Sequence, residues 1–172
     1  MSPAVALKGM LKGRFARRPE MRLGQNPGWP TVLVATLDVE VRNGLAQLLP
    51  VFPINTVWVK SVEDARSVLA SSQITACFCD IWLQGGTCRE LIWHVRRISA
   101  GLPVIIVSAP NCPNEYRDRL AALNLEDLYF LDHPYRLSDL EHFIDLASAT
   151  QGRRLQQRST IYAPEMPHAH VH

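Results

Sequence analysis

Five short apolar runs recur along this chain, each followed by a stretch whose apolar residues repeat at helical spacing. That alternation constrains the fold more than any other feature, because strands and helices in strict succession pack in few ways. The runs are Thr31–Ala35, Ile54–Val59, Thr75–Cys79, Pro103–Val107 and Leu128–Leu131. Between and after them come Val41, Leu45, Leu48 and Leu49; Val62, Ala65, Val68 and Leu69; Leu91, Ile92, Val95 and Ile98; Tyr116, Leu120 and Leu123; and Leu140, Phe143, Ile144 and Ala147. Ser61 before Asp64, and Ser138 before Glu141, have the spacing of helix N-terminal caps.

The runs do not alternate inward and outward residues, so the strands are expected to be buried on both faces, as in parallel sheets covered by helices. Crossovers joining parallel strands are right-handed almost without exception. Together these predict an α/β, flavodoxin-like, doubly wound sheet of five parallel strands, in the order 2-1-3-4-5, with five helices. A site on such a sheet lies at the carboxyl ends of the strands, near the switch point. The loops after Ala35, Cys79 and Val107 should therefore sit side by side.

Of 172 residues, 47% are hydrophobic, enough for one domain with a true core. No apolar run approaches the ~18 residues of a membrane helix, so no membrane span is expected. Charge is segregated. Residues 1–30 hold six Lys/Arg against Glu20 alone, 31–149 hold nine against fourteen Asp/Glu, and 150–172 hold three Arg and Glu165. Residues 1–30, punctuated by Pro19, Gly24, Pro27, Gly28 and Pro30, read as a disordered basic arm. The polar stretch 150–172, ending in His168, His170 and His172, reads as a disordered tail. Lys8 to Arg22 has the composition of an electrostatic arm or a transit peptide, a solvated tail being the simpler reading. Cys77, Cys79, Cys88 and Cys112 form no disulfide framework or zinc spacing, and a reduced, cytoplasmic protein is expected. Cys77 and Cys79 fall on one strand face and read as buried small hydrophobes. Trp58, Trp82 and Trp93 read mainly as packing residues, with Trp82 also placed to cover a strand-end site.

Asp80 closes the third run, Ser108 follows the fourth, and Asp132-His133-Pro134 follow the fifth. A strand-end aspartate can be a nucleophile, a ligand, or simply a loop cap bonded to backbone amides. Proline ends the last strand, and its X–Pro bond can be cis.

The segment Cys77-Phe-Cys-Asp-Ile-Trp-Leu-Gln-Gly-Gly-Thr-Cys-Arg-Glu-Leu resembles the third strand and following loop of response-regulator receiver domains. Val104-Ile-Ile-Val-Ser-Ala, Asp127–Tyr135 and Val32–Arg42 resemble that family's fourth strand, fifth strand and opening segment, so the likeness covers residues 31–149. It implies two-component, phosphorelay signalling. Asp80 takes the phospho-acceptor position, Ser108 and Phe130 the switch hydroxyl and aromatic, and His133 the phosphate-pairing lysine. The family's acidic pair, which holds Mg²⁺, falls on Thr36 and Leu37, with only Asp38, one step on, acidic. Gln84 and Cys88 replace the loop proline and the glycine that opens helix three.

These replacements remove chemistry. Mg²⁺ needs hard oxygen ligands, commonly one or two carboxylates beside the substrate's phosphate. Asp80 alone is securely at the site, and an imidazole at 133 carries only a fraction of a charge at neutral pH. The expectation is a degenerate receiver with no catalytic residue, no metal and no cofactor, acting by binding a protein partner such as a histidine kinase or another signalling protein. A homodimer would use helix four, strand five and helix five. With only 23 residues following Ala149, no attached winged-helix DNA-binding domain is expected. One rival is a phosphorylation-competent receiver in which Asp80 works with a non-standard metal site built on Asp38. Another is a small α/β enzyme, for which the motifs are missing: Trp82 stands where a dehalogenase-type phosphatase needs aspartate, no cysteine begins Cys-x₅-Arg, and neither G-x-G-x-x-G nor G-x-x-x-x-G-K occurs.

Overall fold

The computed structural model describes residues 20–21, 25–110 and 112–161. The basic residues Lys8 to Arg18 and the histidines of the C-terminal stretch lie outside the described residues. Strands β1 (Glu20–Met21), β2 (Thr31–Ala35), β3 (Asn55–Val59), β4 (Ala76–Asp80), β7 (Val104–Val107) and β8 (Leu128–Leu131) form one sheet in the order β1-β3-β2-β4-β7-β8. The last five are parallel, and β1 adds to the β3 edge in antiparallel sense. Without β1 the order is 2-1-3-4-5, as expected. Helices α1 (Val39–Leu48), α2 (Val62–Ser71), α3 (Cys88–Ile98), α4 (Asn114–Ala121) and α5 (Leu137–Ile161) join and cover the strands, and β5 (Trp82–Leu83) with β6 (Gly86–Thr87) makes a small hairpin between β4 and α3. Gly85, at φ +80°, supplies the left-handed turn of that hairpin.

The apolar runs lack alternation because both faces of the sheet are covered. One core gathers Leu33, Cys77, Cys79 and Ile106 against α2, α3 and α4; the other gathers Val34, Phe78, Ile105 and Leu131 against α1 and α5. Burial pushes the Cys77 and Cys88 thiols up to about 12, so they pack as neutral small side chains. Trp58 joins the core, but Trp82 and Trp93 are each 48% exposed. Trp82 lies on the hairpin outside the sheet, and Trp93 lies on the face of α3 opposite Leu91, Ile92 and Val95.

Helix starts follow local chemistry. Ser61 Oγ accepts the Asp64 N–H at 2.9 Å, as its spacing foretold. Thr87 and Glu90 form a reciprocal capping box at α3, a pairing legible in Thr-Cys-Arg-Glu. Ser138 is not a cap, because α5 already begins at Leu137.

The described parts of the two flanks take up defined structure. Asn55, buried on β3, donates from Nδ2 to the carbonyls of Asn26 and Trp29 and accepts the Asn26 N–H, which fastens residues 26–29 to the domain. At the other end α5 runs on to Ile161, so residues 150–161 are helix rather than tail. Thr150 is buried, and Arg154 donates to the Ile74 carbonyl at 2.6 Å and to Ser99 Oγ at 2.8 Å. Those charge-assisted bonds compensate for the lack of apolar surface that had argued for disorder.

Candidate functional site at the carboxyl ends of the strands

Sheet register brings the three expected loops together. Ala35 is paired with Cys79, and Asp80 with Val107, so the residues that follow β2, β4 and β7 leave the sheet side by side. Asp80 ends β4 with its side chain in the mouth between them, and the whole residue is only 5% exposed.

Its partners come from the chain itself. Thr36 Oγ1 donates to Asp80 Oδ2 at 2.9 Å, and the Ile81 N–H donates to Oδ1 at 2.7 Å. Behind Thr36, the Asp38 N–H donates to Thr36 Oγ1 at 3.1 Å, which orients the hydroxyl. Burial raises the Asp80 carboxyl above its usual range. The Thr36 and Ile81 bonds oppose that rise, Asp38 adds to it, and the Trp82 N–H opposes it.

Asp38 is committed elsewhere. It is the N-cap of α1, and its Oδ1 accepts the N–H groups of Glu40 at 2.7 Å and Val41 at 3.0 Å. Leu37 is exposed beside it. Leu37, Asp38, Asp80, Trp82, Ala109, Cys112 and Pro113 line an open cleft of about 330 Å³. Among the described residues no group of three or more His, Cys, Asp or Glu side chains is arranged to hold a metal ion.

Among the described residues, none of the other expected members hydrogen-bonds to Asp80. Ser108 stands at the end of β7, but its hydroxyl donates to Asp132 Oδ1 at 3.4 Å. Asp132 also pairs with Arg117 at 3.0 Å, and the Arg117 guanidinium lies 5.3 Å over the Phe130 ring. Phe130 thus packs half-buried against the α3–α4 side of the core. His133 is exposed, edge-on to the Tyr135 ring at 5.4 Å, and the His133–Pro134 bond is cis.

Tyr135 is the residue that sequence reasoning missed. Its Oη donates to the Ser108 carbonyl at 2.8 Å, and its ring lies against α1 at Gly44, where an added Cβ would meet Cδ2 at 2.9 Å. Burial raises the phenol above its usual range, and the carboxylates of Asp80, Asp38 and Glu40 add to this, so the hydroxyl keeps its proton. The bare glycine in the middle of α1 was the available signal, since glycine weakens a helix unless something packs closely there.

No protein-family model matches the chain, and no curated protein is detectably similar in sequence. Solved structures do match. The signal receiver domain of an HD domain-containing protein from Pseudomonas fluorescens covers 78% of this chain and 98% of its own, with TM-score 0.62 and 16% identity. A CheY-like receiver domain from Methanospirillum hungatei covers 73% and 98%, with TM-score 0.59 and 13% identity. The receiver domain of a Francisella response regulator covers 70% and 98%, with TM-score 0.56 and 20% identity. Among the described residues, no helix is long and apolar enough to cross a membrane. The sheet order, the helices wound on both faces and these superpositions agree: the chain has the receiver-domain fold of the response regulators.

Proposed function

We propose that this chain is a receiver-like signalling module that works by binding other proteins and does not run Mg²⁺-dependent phosphoryl transfer at Asp80. The supporting observation is the hydrogen bond from Thr36 to Asp80. A hydroxyl occupies the place where a second carboxylate would have to bind a divalent ion, and it donates into the oxygen that would otherwise be free.

The residues at the site do not fit Mg²⁺. Thr36 and Leu37 bring no charge, and Asp38 spends an oxygen on the first turn of α1. Asp80 has one oxygen on Thr36 and the other on a backbone amide. Nor does a cation line the mouth among the described residues, since His133 is exposed and set against Tyr135. Three added oxygens and further negative charge on Asp80 would meet Asp38 with no counter-charge. What remains is a receiver fold with exposed helical faces, suited to docking. A signalling protein, a histidine kinase or a second copy of the chain are the partners this reading implies, within a cytoplasmic phosphorelay and without enzymatic chemistry of its own.

The test is a titration of the ¹⁵N-labelled full chain with beryllofluoride and millimolar Mg²⁺, followed by amide chemical shifts. The expected result is no saturable change at residues 36–38, 80–82 and 108. Saturable shifts there, abolished by Asp80→Asn, would overturn the proposal and make the site a working phospho-acceptor.

A further inference from the structure

A second recess lies between α3 and α4 and shares Trp82 with the Asp80 cleft as a common wall. It encloses about 190 Å³. Ile81, Cys88 and Leu120, all buried, form its floor. Trp82 and Tyr116 stand over it edge to face, their ring centroids 5.0 Å apart. At the mouth are Arg89 and Arg119, both exposed, and no carboxylate lines the recess. Among the described residues neither arginine is in an ion pair, and the Arg119 guanidinium rests 5.9 Å over the Tyr116 ring.

Size and charge together select the occupant. Small-molecule sites usually enclose at least ~300 Å³. This recess is smaller and suits one apolar side chain, the kind of anchor that dominates protein interfaces when seated beside tryptophan and tyrosine. Two arginines without an ion pair among the described residues stand at an apolar mouth that no carboxylate lines, on a body whose residues 31–149 carry nine basic and fourteen acidic side chains. Local positive charge on an acidic domain favours an acidic partner and repels a basic one.

We propose that this recess receives a single leucine- or phenylalanine-sized side chain from an acidic segment of a partner protein, whose flanking carboxylates meet Arg89 and Arg119. The inference rests on the reading of the chain as a partner-binding module and names the surface and the partner's chemistry.

The experiment titrates the ¹⁵N-labelled full chain with the acetylated, amidated peptide Glu-Asp-Phe-Glu. Two control peptides replace its Phe by Ala or its acidic residues by Lys, and hexanoate serves as a small apolar anion. The expected result is saturable shifts at residues 81–89 and 116–123, with binding at least about tenfold weaker for both controls. The charge-reversed chain Arg89→Glu/Arg119→Glu, altered only at exposed positions, should lose the acidic peptide by a similar factor and keep its fold by circular dichroism. Absence of saturable shifts, or equal binding of either control peptide, would overturn the proposal. So would hexanoate binding as tightly as the peptide, which would make the recess a small-molecule site. Failure here is distinct from failure of the proposed function: residues 81 and 82 fall in both readouts, but residues 36–38 and 108 report only beryllofluoride and residues 83–89 and 116–123 only the peptide.

Discussion

Asp80 shows how the surroundings of a strand-end carboxylate set its chemistry. Burial holds its carboxyl above the usual range, with the Thr36 and Ile81 bonds recovering only part of the loss. Between the unfolded chain's lower value and the raised folded value, the native state therefore binds the extra proton. The stability this confers is complete below the unfolded value, about pH 4, and is lost as pH rises through the folded one. Above the unfolded value, burial of this group therefore costs stability. Asp80→Asn, which removes the charge at nearly constant shape, should thus raise the melting temperature at neutral pH, with the advantage fading as the solution is acidified. Thermal melts of both proteins across that range are the check. A variant destabilised equally at every pH would show that the carboxylate's hydrogen bonds outweigh its desolvation.

Among the elements, α1 bears most directly on the site. Asp38 starts it, and Gly44 in its middle admits the Tyr135 ring, which is fixed in turn by the bond from Oη to Ser108. Alanine would ordinarily strengthen a helix by about 1 kcal/mol over glycine. Here the new methyl would meet a ring that cannot easily withdraw. Gly44→Ala is expected to lower stability in the wild-type chain, and to raise it by about 1 kcal/mol in a Tyr135→Ala background. Urea unfolding of the four proteins in that cycle measures the reversal; the same sign in both backgrounds would rule out the contact. Elements also show where the sequence was legible. The strand runs and the Ser61 cap appear where their patterns put them, since period and capping are local properties. The Ser138 cap and the end of α5 do not, because the helix begins with bonds to the Arg136 carbonyl and is held at its far end by Arg154 reaching Ile74 and Ser99. No local pattern records a partner eighty residues away.

For the molecule as a whole, a ligand that binds only the folded state must stabilise it in proportion to its occupancy. Magnesium should therefore leave the wild-type melting temperature where an ionic-strength control puts it. In Thr36→Asp/Leu37→Asp a carboxylate replaces the hydroxyl that now bonds Asp80. That variant should melt lower than wild type in chelator, through repulsion between buried like charges, and recover with millimolar Mg²⁺. Each kcal/mol of binding adds about 3 °C. Recovery in the variant alone would place the loss of metal binding at residues 36 and 37, and a rise in the wild type would refute it.

The sequence by itself determined the five parallel strands, their order, and the carboxylate at the mouth of the sheet, because apolar periodicity and strand-end position are written in neighbouring residues. It also puts uncharged Thr36 and Leu37 where the family resemblance would place an acidic pair. Only the tertiary structure decided what each remaining group does. Asp38 became a helix cap, Ser108 turned to Asp132, Tyr135 closed on Gly44, and Trp82 came to divide two recesses. Those outcomes depend on which distant side chain offers the better hydrogen bond or the closer packing surface, and such competition is settled only once the sheet has brought the loops together.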